Sequence, residues 1–365
     1  MESPSGLSSS VPIWNGVPEV IASGSAWGIG FAHGSQISDR IKTCIANYER
    51  LFLETANIDW NESKARAASY LQSLKQNEPD LVEEMRGIAA GAGVNFLDIL
   101  ALNVRSEIAL TNYSDGCTSI ATQNTSNFQV YVAQNWDWVS EAGNSTAFFN
   151  IHKTGTPRIR MIGEAGIVGK FGFNDSGVGI CMNAIRCGVV DKSRLPVHIA
   201  MRRVLECRSF NEAYNMLTQK GLASCVNLVI GDRSGQFATI ECTPRGLAPI
   251  FPEGGTATTF HTNHLWSPRI PAGIKDHPSA NSFSRLERIK ILTTGQQADC
   301  AAIRSWLSDE EGTPVSICRS VPPNTVGIER METLATVILD LCNLRAEVSF
   351  GQPCKNPPVR VISLS

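Results

Sequence analysis

The sequence predicts an α+β fold, and two observations carry that expectation. Its first ~110 residues show helical apolar spacing, whereas the rest alternates strand-like runs with helices. Strict β-α-β alternation is absent, which argues against a doubly wound parallel sheet. At 365 residues the chain has room for two domains or one large layered domain.

The elements follow in order. Gly28-Ile29-Gly30 and Gly34-Ser35 punctuate the approach to a helix at Ile37–Lys42, whose apolar spacing continues through Ile45, Leu51 and Phe52. Further helices are expected over Ser63–Gln76, Leu81–Ala90 and Phe96–Ile108. After Cys117 the texture turns to strands at Val130–Val132, Arg158–Ile162, Gly177–Met182 and Val226–Ile230. Gln236–Glu241 should return antiparallel across the turn-rich Gly231–Gly235, and Thr333–Asp340 with Ala346–Phe350 form a second hairpin. Helices are expected at His198–Cys207, Ser209–Gln219, Ser284–Leu292 and Cys300–Leu307. The Pro/Gly-rich stretch Pro244–Gly273 reads as loop, with His261-Thr262-Asn263-His264 inside it.

Composition narrows the function. Hydrophobic residues at 42% and charged residues at 18% describe an ordinary globular protein. The net charge of −2 gives no electrostatic reason to expect nucleic acid or an anionic membrane. No apolar run approaches the ~20 residues of a membrane span. The N-terminus lacks the pattern of a signal peptide, and Ile362-Ser363-Leu364-Ser365 is a poor match to a peroxisomal Ser-Lys-Leu address, so a cytoplasmic location is expected. Eleven scattered cysteines without a CxxC pair read as small buried hydrophobes, with one exception.

That exception is Cys117, in Asp115-Gly116-Cys117-Thr118 after the polar lead Thr111-Asn112-Tyr113-Ser114. A thiol here can attack the unhindered Gly116 carbonyl, and hydrolysis of the thioester leaves Cys117 as a new N-terminus. An α-amine titrates near ~8, against ~10.4 for a lysine, and so serves as a general base near neutral pH. Thiol and amine on one residue then form a complete nucleophile–base pair. Asn135 and Asp137 are turn residues in the plain reading, and Asp137 is otherwise an anchor for an ammonium or for the nucleophile's amine. The His261/His264 pair is a weak zinc signal without a third ligand, so Asn263 is read as an oxyanion donor. Arg319 and Arg330 are solvated surface or carboxylate clamps. Glu164-Ala165-Gly166-Ile167-Val168-Gly169-Lys170 lacks the GK[ST] ending of a phosphate loop, so nucleotide binding is rejected there.

Taken together, these strings resemble the isopenicillin N acyltransferase family of N-terminal nucleophile (Ntn) hydrolases. Gln134-Asn135-Trp136-Asp137, Phe173-Asn174, Asn183-Ala184 and Ser316-Ile317-Cys318-Arg319 complete the match, which runs from about Gly28 to Phe350. The resemblance implies a four-layer αββα sandwich and a precursor cut between Gly116 and Cys117. A helical segment 1–116 and a large segment 117–365 would then stay associated as a heterodimer. Cys117 matches the nucleophile, Asn263 the oxyanion asparagine, and Ala184 the residue giving a backbone oxyanion N–H. Asp137 matches a substrate-contacting aspartate, Arg330 rather than Arg319 the carboxylate clamp, and Thr243 a substrate-side serine. Glu329-Arg330-Met331 stands where the family's pattern has Ser-Arg-Gly, and this leaves the penicillin nucleus unassigned as acceptor.

The expected activity is transfer of an acyl group from acyl-CoA, or from an amide, to an amine through an acyl-enzyme on Cys117. Acyl-CoA is a co-substrate in that scheme, and neither a cofactor nor a metal is expected. Two alternatives accompany it: an amidohydrolase with water as acceptor, and an uncut inactive paralogue.

Overall fold

The computed structural model describes residues 11–108, 116–252 and 257–364. The polar lead Thr111–Ser114 and Asp115 lie outside them. Two β-sheets stack face to face, with helices on both outer sides, as the αββα expectation requires.

The first stretch is not helical throughout. Strands β1 (Ile13–Trp14) and β2 (Val17–Gly24) precede helices α1 (Ala26–Gln36), α2 (Ser38–Ala56), α3 (Trp60–Ala68), α4 (Leu71–Asn77), α5 (Pro79–Ala92), α6 (Phe96–Asn103) and α7 (Arg105–Ile108). The helix expected over Ser63–Gln76 breaks into α3 and α4. There the Ser69 and Tyr70 N–H groups bond three residues back, to Arg66 and Ala67, and Tyr70 turns into the core. Helices α1 and α5 cross at very close range: a methyl group on Gly30 would lie 1.9 Å from the Glu84 carbonyl oxygen, so only glycine fits there.

The large segment supplies β3 (Thr118–Gln123), β4 (Val130–Val139), β5 (Thr146–Lys153), β6 (Ile159–Glu164), β7 (Phe171–Asn174), β8 (Val178–Ala184), β9 (Val226–Asp232), β10 (Phe237–Thr243), β11 (Gly246–Ile250), β12 (Thr258–His261), β13 (Met331–Asp340), β14 (Arg345–Phe350) and β15 (Val359–Ser363). Its helices are α8 (Val197–Leu205), α9 (Phe210–Lys220), α10 (Ala280–Thr293) and α11 (Cys300–Leu307). One sheet has the order β1-β2-β5-β6-β7-β8-β9-β10-β11, the other β12-β3-β4-β13-β14-β15. Helices α1, α8 and α9 pack on the first, α10 and α11 on the second.

The expected loop Pro244–Gly273 contains β11 and β12. Both are edge strands, where Pro249 needs no ladder donor on its outer side. Asn135 and Asp137 are not turn residues but lie inside β4, which is buried along its whole length between β3 and β13. Strand β2 pairs in parallel with β5, from Glu19↔Phe148 to Gly24↔Lys153, so the first segment is part of the sheet itself. Among the described residues no helix is long and apolar enough to cross a membrane.

Candidate active site

Cys117 stands one residue before β3, an inner strand held on one side by β4 and on the other by β12. That placement fixes its backbone at the end of the sheet and leaves the residue 1% exposed. Its Sγ lies 3.9 Å from the Asp137 carbonyl oxygen. Its own carbonyl accepts from Arg285 Nη1 at 2.7 Å and from Asn183 Nδ2 at 3.1 Å. Asn183 Oδ1 in turn accepts from Ser119 Oγ and, at 2.9 Å, from Asn227 Nδ2, which ties the two sheets together beneath the cysteine.

Gly116 is packed against two charged groups. A methyl group on its Cα would lie 2.5 Å from Arg319 Nη1 and 2.9 Å from Asp137 Oδ2. The bond before Cys117 is therefore flanked by a guanidinium and a carboxylate, and a side chain at residue 116 would have to displace them. Asp137 is fully buried, and its Oδ1 accepts from Thr333 Oγ1 at 2.7 Å. Thr333 also fixes Arg319: the Arg319 N–H donates to Thr333 Oγ1 at 2.9 Å, and its carbonyl accepts from Thr333 N at 3.1 Å. Asn135 Nδ2 donates to the carbonyls of Leu307 and Ile317 at 2.7 and 2.9 Å, which seats the segment leading to Arg319.

Asn263 follows β12 and comes to the same end of the sandwich. Its Nδ2 donates to the Ala184 carbonyl at 3.0 Å, at the end of β8, and its Oδ1 accepts from Arg285 Nη2 at 2.9 Å. The loop that carries it is built around buried polar groups. The Asn263 N–H donates to Ser282 Oγ at 2.8 Å, and His264 Nδ1 sits 2.8 Å from the same oxygen. Burial, reinforced by His261, holds His264 at about 4. It is therefore neutral at pH 7, and the Ser282 hydroxyl, which donates to Thr262 Oγ1 at 3.0 Å, links it to that residue. Glu241 lies beneath, 3.0 Å from His261 Nε2, and accepts from the Trp266 and Ser267 N–H groups.

Sequence-based residues thus divide by location. Gly116, Cys117, Asp137, Asn263 and Ala184 converge. Thr243 lies at the end of β10, beside Cys242 in the row that runs through Val226 to Ala184, and its hydroxyl donates to Gly246 O at 2.9 Å. Arg330 is exposed, just before β13, with its carbonyl receiving the Ser140 N–H and hydroxyl. Arg319 is the arginine beside Gly116, and the string Ser316–Arg319 was its only sequence signal. Arg285 had none, because an arginine on a helix is by default solvated.

The string Glu164–Lys170 occupies a different place. Glu164 and Lys170 are buried, with Lys170 Nζ 2.8 Å and Arg105 Nη2 3.0 Å from Glu164 Oε2, while Tyr48 donates to Oε1. Burial alone would raise this carboxyl, but Arg105 and then Lys170 hold it down at about 2. Tyr48 and Arg105 belong to the first segment, Glu164 and Lys170 to the second.

An αββα sandwich with a cysteine at the head of an inner strand defines the Ntn-hydrolase class of fold. A family profile described as acyl-coenzyme A:6-aminopenicillanic acid acyl-transferase matches residues 122–355. The acyl-coenzyme A:6-aminopenicillanic-acid-acyltransferase 40 kDa form of Emericella nidulans is 31% identical over 341 residues, 93% of each chain. Among solved structures, a mutant of the conjugated bile acid hydrolase from Clostridium perfringens superimposes with a TM-score of 0.50. It is 13% identical, over 68% of this chain and 92% of that one. The chain belongs to the acyl-coenzyme A:6-aminopenicillanic acid acyltransferase family and is an enzyme of the acyltransferase or amidohydrolase type.

Proposed function

We propose that the protein cuts its own Gly116–Cys117 bond and then moves an acyl group from acyl-CoA to an amine through Cys117. In the first step the Cys117 thiol adds to the Gly116 carbonyl carbon, and the C–N bond breaks. The thiol proton passes to the departing Cys117 amine. Water then cleaves the thioester, returning the thiol and leaving a Gly116 carboxyl group. In the second step the amine, now free, takes the thiol proton as sulfur attacks the acyl-CoA thioester. Coenzyme A leaves with that proton; the acceptor amine then attacks the acyl-enzyme carbonyl, the C–S bond breaks, and the proton lost by the new amide returns to the Cys117 thiol. The Asn263 amide and the Ala184 N–H are the proposed oxyanion donors, Asp137 the anchor for an ammonium, and Arg330 and Thr243 the acceptor-side contacts.

The observation that carries this reading is the convergence of Arg319 Nη1 and Asp137 Oδ2 on Gly116, the residue before a buried cysteine. Denaturing mass spectrometry of the purified protein should give two fragments, 1–116 and 117–365. Cys117→Ala should give one uncut species of 39.6 kDa. Cutting that persists in Cys117→Ala would refute self-processing. Transfer is separated from hydrolysis by supplying acyl-CoA with an amine and quantifying amide against free acid, because exclusion of water sets that ratio.

A further inference from the structure

Arg285 is 2% exposed, in the second turn of α10, yet it points at the site from outside the six-stranded sheet. Its Nη1 donates to the Cys117 carbonyl at 2.7 Å and to Thr118 Oγ1 at 3.0 Å. Its Nη2 donates to Asn263 Oδ1 at 2.9 Å and to Asn281 Oδ1 at 3.3 Å. One planar, rigid group therefore bridges the backbone of the nucleophile and the side chain of the oxyanion asparagine.

We infer that Arg285 is a positioning residue: its guanidinium fixes which way the Asn263 amide faces and sets that amide against Cys117. A guanidinium only donates, so the amide atom facing it has to be the oxygen. The NH₂ group is then turned the other way, and the Ala184 carbonyl, an acceptor only, holds it at 3.0 Å. The reversed amide would set NH₂ against guanidinium and oxygen against oxygen, and would lose both bonds. An Asn263 that presents oxygen to the site would repel the charge it is meant to stabilise. One Nδ2 hydrogen serves Ala184, and during acylation the other is the donor assigned to the acyl oxyanion. Asn281, one helical turn before Arg285, accepts from the same Nη2 and keeps the fork from rotating.

This inference rests on the acyl-transfer reading, and a double-mutant cycle tests it. The readout is the rate at which octanoyl-CoA forms the Cys117 thioester, followed by intact-protein mass spectrometry on the cut enzyme. Arg285→Met should slow acylation by about 10²-fold, the usual effect of losing one oxyanion donor. In an Asn263→Ala background the same substitution should cost no more than about two-fold, the scatter of independent sites. Full, additive losses in both backgrounds would overturn the inference, and so would unchanged acylation in Arg285→Met. Arg285→Lys replaces the methionine variant in the cycle if the latter fails to fold, since it keeps the charge and a single donor. Loss of the 116/117 cut in both variants at unchanged melting temperature would also overturn it, because Arg285 would then act on the Cys117 backbone. A wild-type enzyme that never forms the thioester refutes the acyl-transfer reading instead, and that failure shows in the wild-type arm.

Discussion

Arg202 and Arg285 are both enclosed guanidinium groups, and they sit in regions built on different logic. Arg202, on α8, meets both oxygens of Glu84 from α5 at 2.8 Å, with Glu206 beside it. The layer that joins residues 11–108 to the large sheet repeats this pattern: Arg105 and Lys170 on Glu164, Arg203 on Glu78 and Asp80. Around Cys117, Arg285 reaches a carbonyl, a hydroxyl and two amide oxygens. A charge neutralised by a carboxylate joins two pieces of protein. A guanidinium whose fork holds a backbone carbonyl and amide oxygens orients those groups and keeps their donors aimed. The first region should therefore fail as lost stability, the second as lost rate.

The largest expected effect tests the joining region. Glu84→Gln leaves Arg202 buried without its bidentate partner, at a cost of about 3–5 kcal/mol. Thermal melts should show a fall of about 4–7 °C, while the fraction cut at 116/117 among folded molecules stays at the wild-type level. A variant that melts normally but is not cut would erase the distinction between the two regions.

A smaller effect comes from pH. His33 Nε2 accepts from the Gly166 N–H at 2.9 Å, and burial, then Arg202, pushes its pKa down to about 3. An unfolded histidine takes up its proton near ~6.5. Between these two values the unfolded chain binds more protons, so this contribution is complete above about 6.5 and is lost as pH falls towards 3. At pH 5 the loss is on the order of 2 kcal/mol. Chemical denaturation at pH 7 and pH 5 should show it, and His33→Gln, which keeps an acceptor for Gly166, should flatten the slope. Equal pH slopes in the two proteins would exclude His33 as the source.

The smallest effect sharpens the site. Gly116→Ala forces a methyl group against Arg319 and Asp137, an overpacking of about 1–3 kcal/mol. The time course of cutting should slow by about ten-fold or more, with a fall in melting temperature of no more than about 4 °C. A normal time course would show that the two charges are irrelevant to the cut.

Much of the site was legible in residue types. Cys117 after a glycine, the aspartate in Asn135-Trp136-Asp137 and the asparagine in His261–His264 announce their chemistry, and the structure brings them to one end of the sandwich. The paired helices and the two hairpins were equally readable from apolar spacing. Strand β2 was not, because Val17-Pro18-Glu19-Val20 carries a proline and its partner β5 lies more than a hundred residues away. Arg285 was invisible for the same physical reason. Its environment is made by Cys117 and Asn263, brought together by the pairing of β3 with β12, and no local pattern encodes that. Between Arg319 and Arg330 the resemblance pointed to Arg330, whereas in the folded chain the Arg319 guanidinium lies against Gly116 and Arg330 is exposed.

The parallel pairing of β2 with β5 has a consequence for the life of the protein after a cut. Strands β1 and β2 are the outermost strands on that side of the nine-stranded sheet, and both belong to the smaller fragment. If that fragment were lost, β5 would become a bare edge, with Phe148, Phe149 and Ile151 along it. Such an edge is a template for pairing with other chains. The small fragment would then act as a built-in guard against aggregation, by covering that edge.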